Sequence, residues 1–137
     1  MTIGDCIAAE ALALVGTPFR LRGRDSRTGI DCVGLALLAF GRAGVPVSEP
    51  PSYQLRGTAR DRAAMILSGG GLMPATSEMP GDLVLVESGP LQLHLMIRAG
   101  AGHVHAHAGL GRVVEMPLPS LWPVHGIWRA VPRNESN

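Results

Sequence analysis

Cys32 and the histidines downstream of it are residue types suited to nucleophilic catalysis. The thiol lies in the segment Gly-Ile-Asp-Cys-Val-Gly-Leu, residues 29–35, where a polar loop gives way to an apolar helical pattern. A helix N-terminus carries unpaired backbone N–H groups and a partial positive charge, which stabilise a thiolate. Five histidines follow in the chain; His94, His103, His105 and His107 are the candidates, and His125 is interpreted as a structural or surface residue. The order of Cys before His predicts a thiol nucleophile with an imidazole base.

The four candidate histidines fall on two strand patterns that a hairpin would join. In residues 91–98, His94 alternates with apolar neighbours and faces away from them. The three imidazoles of His-Val-His-Ala-His, residues 103–107, share one strand face. An antiparallel hairpin would bring one of them beside His94, as a group that orients the base. A zinc or copper site is the rival interpretation, although the three span about 13 Å, so only two of them plus His94 could share one ion.

Helical patterns come first in the chain and strand patterns afterwards, which predicts an α+β fold with segregated layers. Apolar periodicity predicts helices over residues 3–15, 31–42 and 58–67, with Asp31 as an N-cap. Residues 19–30 and 45–58 are interpreted as loops. Alternation and turn residues predict an antiparallel sheet from the segments 83–87, 91–98, 103–108, 112–115 and 126–131.

Size and composition exclude several classes of function. The 137 residues, 46% hydrophobic and 17% charged, predict one domain over residues 1–137, with 132–137 as a flexible tail. A net charge of +1 gives no reason to expect nucleic-acid binding, and no apolar stretch predicts a membrane span. All twelve basic residues are Arg, which excludes Schiff-base lysine chemistry. Cys6 and Cys32 cannot build a disulfide framework, and Cys6 is interpreted as a buried structural residue.

Several motifs together resemble the NlpC family of papain-like cell-wall cysteine peptidases. In chain order they are Gly16-Thr17-Pro18-Phe19, Gly29-Ile30-Asp31-Cys32-Val33-Gly34-Leu35, Pro80-Gly81-Asp82-Leu83, His94 and His105-Ala106. The segment from Pro117 through Trp122 to Arg129 resembles the C-terminal end of members encoded with phage tails and gene transfer agents. The resemblance implies a papain-like fold in which N-terminal helices, with the nucleophile at a helix N-terminus, pack on a C-terminal antiparallel sheet.

The resemblance also implies roles for particular residues. Cys32 matches the nucleophile, His94 the general base, and His105 the orienting third member, with His107 as the alternative. Phe19 replaces a tyrosine that many relatives use in the substrate site. Arg22 and Arg24, in the loop before Cys32, are predicted to bind substrate carboxylates. No metal and no cofactor is expected.

The implied substrate is a peptidoglycan stem peptide, cut at a D-glutamyl–diaminopimelate amide bond. With no signal peptide in its sequence, the protein is expected to be synthesised in the cytoplasm and to act in the periplasm or cell wall within a tail-like particle, with baseplate or hub proteins as partners. The alternatives are a catalytically silent tail-hub protein, a His-cluster metal-binding protein, and an amidase or acyltransferase on the same scaffold.

Overall fold

Two helices pack on one face of a six-stranded antiparallel sheet in the computed structural model, which describes residues 1–45, 47, 71–90 and 92–131. The predicted α+β arrangement of early helices and a later sheet is confirmed. The expected helix at 58–67, most of the 45–58 loop and the expected tail at 132–137 lie outside the described residues. No helix in the described part of the chain has the length and hydropathy to span a membrane.

Helix α1 spans Ile3–Ala13 and begins with a capping box. The Thr2 hydroxyl accepts the Asp5 backbone N–H at 3.0 Å, and the Asp5 carboxylate accepts the Thr2 N–H at 3.0 Å. The helix ends two residues before the predicted Val15. The helix ends there because Gly16, at φ +96°, turns the backbone toward the sheet. The Gly16 N–H then donates to the Val113 carbonyl and not to a carbonyl of the helix.

Helix α2 spans Cys32–Arg42, and Asp31 caps it as predicted. The Asp31 carboxylate accepts the Gly34 N–H at 2.9 Å, which satisfies one of the unpaired donors of the first turn. Gly34 is required at this place, because a side chain there would collide with the carbonyl oxygen of Gly23. The close approach lets the preceding loop lie directly on the first turn of α2.

The strands match the predicted segments to within one or two residues at most ends. A small hairpin, β1 (Arg24–Asp25) with β2 (Gly29–Ile30), lies within the predicted loop at 19–30. The main sheet contains β3 (Leu72–Ala75), β4 (Leu83–Gly89), β5 (Gln92–Ala99), β6 (Gly102–His107), β7 (Arg112–Pro117) and β8 (Val124–Ala130). Its strand order is β3-β8-β4-β5-β6-β7. Strand β3 was not predicted from the sequence; its Pro74 is tolerated because the strand lies at the sheet edge.

The sheet has two different faces. Leu83 and Leu85 of β4, with Leu95 and Ile97 of β5, pack in the main core with both helices. Val84, Val86 and Met96 point to the other face and form a second cluster covered by Trp122. The catalytic candidate His94 shares this second face with Met96, as the alternation predicted.

Strands β5 and β6 are paired only near their connecting turn. Their register runs from Ala99↔Gly102 to Ile97↔Val104 and then stops. Beyond that point β5 continues to pair with β4, and β6 continues to pair with β7. The backbone groups of β5 that face this opening are therefore available to other partners, and the N-terminus of α2 is next to them.

A buried ion pair joins the start of β4 to β8. Arg129 contacts both carboxylate oxygens of Asp82, at 2.9 and 2.7 Å, and Asp82 also accepts the Met79 N–H at 2.8 Å. Asp82 is 1% exposed, so its charge depends on these donors. The preceding Gly81, at φ +90°, touches the backbone of Gly4 and brings the start of α1 against this turn.

We expect Arg129→Met to lower the free energy of unfolding by about 2 kcal/mol, because it leaves the buried Asp82 carboxylate without its cation. This value is below the usual range for a fully buried pair, since the Arg129 side chain is 35% exposed. Urea unfolding followed by circular dichroism measures the change. Arg112→Met, on an exposed arginine, is the matched control and should shift the free energy by less than about 0.5 kcal/mol. Equal losses in the two variants would contradict the assigned role of the ion pair.

Candidate active site

Cys32, His94 and His105 line one open cavity of about 450 Å³. Phe19 and Arg22, two of the three residues predicted to bind substrate, line the same cavity, whereas Arg24 does not. Residues that the sequence analysis had not assigned to the site also contribute to the wall, notably Asp31 and Trp122. The fold therefore gathers side chains from the loop before α2, from α2 itself, and from β5 and β6.

The thiol of Cys32 lies in the opening between β5 and β6. Cys32 is the first residue of α2 and is partly buried against the main core. Its sulfur accepts backbone N–H groups of Leu95, on β5, and of Val33. The N–H of Leu95 can reach the sulfur because β6 does not pair with this part of β5. The separation of the two strands thus makes the space that the thiol occupies.

The imidazoles of His94 and His105 are joined across the same opening. Nε2 of His94 lies 3.0 Å from Nδ1 of His105, and the rings meet nearly edge to face, at 85°. Nδ1 of His94 is left for a group in the cavity. His107 also lines the cavity, but its Nδ1 accepts the Leu110 N–H at 3.0 Å and stabilises the turn after β6. His105, and not His107, is therefore the histidine that bonds to His94.

His103, the third imidazole on β6, belongs to a separate cluster. Its Nε2 lies 2.6 Å from a Glu78 carboxylate oxygen, which is also 3.7 Å from Arg98. Within the described residues, no group of three or more His, Cys, Asp or Glu side chains is placed to hold a metal ion. The rival metal-site interpretation of His-Val-His-Ala-His therefore has no geometric support in this part of the chain.

Trp122 packs against both histidines of the pair. Its ring meets His94 at 88° with centroids 5.9 Å apart, and His105 at 84° with centroids 5.4 Å apart. Edge-to-face contacts of this kind restrict the orientation of the rings. Sequence analysis noted Trp122 only as part of the C-terminal resemblance. A tryptophan between prolines in a loop was the available signal, but nothing local showed which residues it would cover.

The loop before Cys32 is organised by the carboxylate of Asp31. Besides capping α2, Asp31 accepts a hydrogen bond from Nη1 of Arg24 at 2.9 Å and from the backbone N–H of Arg22 at 2.9 Å. Arg22 is held at φ +66°, a conformation that non-glycine residues adopt rarely and that concentrates at functional sites. The structure thus separates the two arginines: Arg22 lies at the cavity and Arg24 forms an ion pair behind it.

Phe19 reaches the cavity because the segment before it pairs with the sheet edge. The Phe19 N–H donates to the Gly111 carbonyl at 2.8 Å, and Val113 donates to the Thr17 carbonyl at 2.8 Å. Residues 16–19 therefore run along the outside of β7. The Gly-Thr-Pro-Phe motif is explained by this path, since its glycine turns the chain and its phenylalanine ends at the cavity wall.

The environment of the site favours neutral side chains. Burial raises the pKa of the Cys32 thiol to about 11, with the Asp31 carboxylate acting in the same direction; the Leu95 and Val33 N–H groups and the Arg24 guanidinium oppose this rise. Burial lowers the pKa of His94 to about 3, helped by repulsion from His105 and His107. Burial lowers the pKa of His105 to about 4. At neutral pH the cavity therefore holds a neutral thiol and neutral imidazoles, and not the thiolate expected from the helix N-terminus alone.

Solved structures of similar fold are known, although no protein-family model and no curated protein matches the sequence. NlpC2 from Trichomonas vaginalis superposes with a TM-score of 0.70 at 16% identity, covering 93% of this chain and 48% of that one. The peptidoglycan hydrolase RipB from Mycobacterium tuberculosis gives 0.62 at 22%, covering 96% and 66%. The P60 domain of an antigen from Mycobacterium avium subspecies paratuberculosis gives 0.60 at 20%, covering 96% of both chains.

The fold is that of NlpC/P60 domains. At these identities the similarity shows the architecture, and it confirms the papain-like arrangement implied by the sequence motifs. The chain spans less than half of the Trichomonas protein and nearly all of the mycobacterial P60 domain.

We expect alkylation of Cys32 by iodoacetamide to be slow at neutral pH and to accelerate about tenfold per pH unit from about pH 7 to 9, because the reactive thiolate is scarce below its pKa. Mass spectrometry of the Cys6→Ser protein measures the rate at Cys32 alone. Cys32→Ala in the same background should take up no label. A rate that stays level between about pH 5 and 8 would instead indicate a preformed thiolate and contradict the neutral pair.

Proposed function

We propose that this protein is a cysteine peptidase that hydrolyses peptidoglycan stem peptides, with Cys32 as nucleophile, His94 as general base and His105 as the group that orients it. The observation that carries the proposal is the 3.0 Å hydrogen bond between Nε2 of His94 and Nδ1 of His105, in the cavity that Cys32 also lines. This is the order of nucleophile, base and orienting group that thiol catalysis requires.

The proposed reaction begins with a neutral thiol. As the Cys32 sulfur attacks the scissile carbonyl, its proton passes to Nδ1 of His94, and the positive charge is shared with His105 through Nε2. His94 then gives the proton to the leaving amine as the carbon–nitrogen bond breaks, which leaves a thioester on Cys32. A water molecule, deprotonated by His94, hydrolyses the thioester and restores the thiol.

The oxyanion formed during attack would be stabilised by the first turn of α2. Asp31 already accepts the Gly34 N–H, and the Val33 N–H points at the Cys32 sulfur. The donor that this turn can offer is therefore the N–H of Cys32 itself, and one such donor is typically worth about 3–4 kcal/mol. Phe19 has no hydroxyl to add a second donor from across the cavity.

The choice of a stem peptide as substrate is supported by the neighbours of similar fold, one of which is named a peptidoglycan hydrolase. The cavity wall is mostly apolar, with the exposed Arg22 at its edge, a combination suited to a peptide that carries carboxylates. The D-glutamyl–diaminopimelate bond is the proposed point of cleavage. Local cell-wall penetration by a phage tail or gene transfer agent is the proposed setting, supported by the sequence motifs at the C-terminal end.

Hydrolysis of purified muropeptides, followed by liquid chromatography and mass spectrometry, tests the proposal. Wild type should release two fragments from a D-glutamyl–diaminopimelate substrate, and Cys32→Ala should release none. Equal product from both proteins, or none from either, would refute the cysteine-peptidase function, and the second result would favour a silent structural protein.

The same assay distinguishes His105 from His107, the two histidines of β6 that line the cavity. We expect His105→Ala to lower kcat by about 10- to 100-fold, because His94 loses the partner that orients it. His107→Ala is the control on the same strand face. It should change kcat by less than about threefold, since its Nδ1 accepts from the Leu110 N–H in the turn after β6 and does not bond to His94. A larger loss for His107→Ala than for His105→Ala would reverse the assignment.

Arg22 and Arg24 should have different effects on substrate binding. We expect Arg22→Ala to raise KM for muropeptides about fivefold, the effect of losing roughly 1 kcal/mol of a charge-assisted contact at an exposed site. Arg24→Ala should instead lower the melting temperature, because it removes the cation paired with the buried Asp31. Arg27→Ala, on an exposed arginine of the same loop that pairs with Asp25, is the control. An unchanged KM for Arg22→Ala would remove Arg22 from the substrate site.

A further inference from the structure

The second nitrogen of His105 has an unusual partner. Its Nε2 lies 2.8 Å from the thioether sulfur of Met116, on the neighbouring strand β7. Met116 pairs with His103 in the β6–β7 register, so its side chain stands on the same face as the imidazoles and diagonal to His105. Neither composition nor motif pointed to this methionine.

A thioether can accept a hydrogen bond but has no hydrogen to donate. The proton in this contact therefore belongs to Nε2 of His105. In a neutral imidazole only one nitrogen carries a proton, so Nδ1 of His105 must be the acceptor. It then follows that Nε2 of His94 donates to it, and that Nδ1 of His94 holds the free lone pair. The contact with Met116 thus determines the direction of both hydrogen bonds in the series Met116–His105–His94.

We propose that Met116 is a positioning residue that selects the tautomer of His105, and through it the tautomer in which His94 can accept the Cys32 proton. The role in catalysis rests on the proposed peptidase function, whereas the tautomer itself does not. In the opposite tautomer, His105 would donate from Nδ1, His94 would accept at Nε2, and the remaining nitrogen of His94 would already carry a proton.

The surroundings leave this selection to Met116. The titratable groups that act on His105 are His103 and His107 on its own strand and His94 across the opening, all of them imidazoles. His103 is bonded to Glu78, and His107 accepts from Leu110. Trp122 contacts the His105 ring edge to face, which orients the ring but does not distinguish its two nitrogens. The thioether does distinguish them.

Three substitutions of the partly buried Met116 separate acceptor from donor chemistry. Met116→Glu offers only acceptor oxygens when ionised, Met116→Leu offers nothing at similar volume, and Met116→Lys offers only donors. We expect the pH-independent kcat on muropeptides to stay within about threefold of wild type for Glu, to fall about 2- to 10-fold for Leu, and to fall further for Lys. The acidic limb of the Glu profile should also move to higher pH, because a carboxylate stabilises the charged imidazole pair.

Nitrogen-15 NMR of histidine-labelled protein gives a readout that needs no substrate. In wild type, Nε2 of His105 should be the protonated nitrogen, and in Met116→Leu a second tautomer should become populated while thermal unfolding stays close to wild type. A wild-type His105 protonated on Nδ1 would overturn the proposal, as would equal kcat values for the Glu and Lys variants. Failure of wild type to cut any muropeptide, with the expected tautomer present, would refute the peptidase function and leave the tautomer selection standing.

Discussion

The carboxylate of Asp31 is the group on which the arrangement of the site depends. One buried side chain accepts from the first turn of α2, from the backbone of Arg22 and from the guanidinium of Arg24. It thereby fixes where the helix begins, how the preceding loop returns to it, and which way Arg22 faces. Removing this buried carboxylate would take an acceptor from all three donors at once, although Nη1 of Arg24 would keep its hydrogen bond to the Gly23 carbonyl at 2.9 Å. Its effect on Cys32 is also electrostatic, since it opposes formation of the thiolate.

The separation of β5 from β6 is the second requirement of the site. In a fully paired hairpin the Leu95 N–H would donate within the sheet and would not be available to the thiol. Pairing between β5 and β6 ends at Ile97 and Val104, so sheet hydrogen bonds are missing beyond that point. The resulting cleft lies between two strands that are each paired on their outer side. Each flanking strand keeps its outer partner, so the opening does not loosen the sheet. The burial that results is also what makes the thiol and the imidazoles neutral.

Neutral resting groups are compatible with catalysis when the proton has a defined path. A thiol beside an unprotonated imidazole becomes a nucleophile at the moment of attack, and the charge that develops on His94 is spread to His105. Beyond His105, the next partner is the uncharged sulfur of Met116. A carboxylate in that position would raise the pKa of the histidine pair, and the sulfur does not. Trp122 packs edge to face against both rings and restricts their orientation. The site thus depends on geometry and burial more than on fixed charges.

Much of the fold followed from local patterns in the chain. The cap at Asp31, the period of α2 and the alternation of β4, β5 and β6 each involve neighbours within a few residues. The start of α2, these strands and the face of His94 were therefore predicted correctly. The end of α1 was placed two residues too late because its cause, a hydrogen bond from Gly16 to Val113, joins positions nearly a hundred residues apart. The edge strand β3 was missed because its proline argues against a strand unless the edge position is known.

The sequence by itself determined which groups are available: a thiol at a helix N-terminus, a histidine on a strand and three more on the next strand. Only the tertiary structure decided among them. His105 bonds to His94, whereas His107 accepts from Leu110. Arg22 lies at the cavity, whereas Arg24 binds Asp31. Met116 reaches the site from the neighbouring strand β7, and Trp122 from the segment between β7 and β8. These choices depend on how strands pack and where their pairing stops, and such long-range contacts leave no periodic trace in the chain. The state of Cys32 is decided in the same way, because burial outweighs the effect of the helix N-terminus that the sequence had revealed.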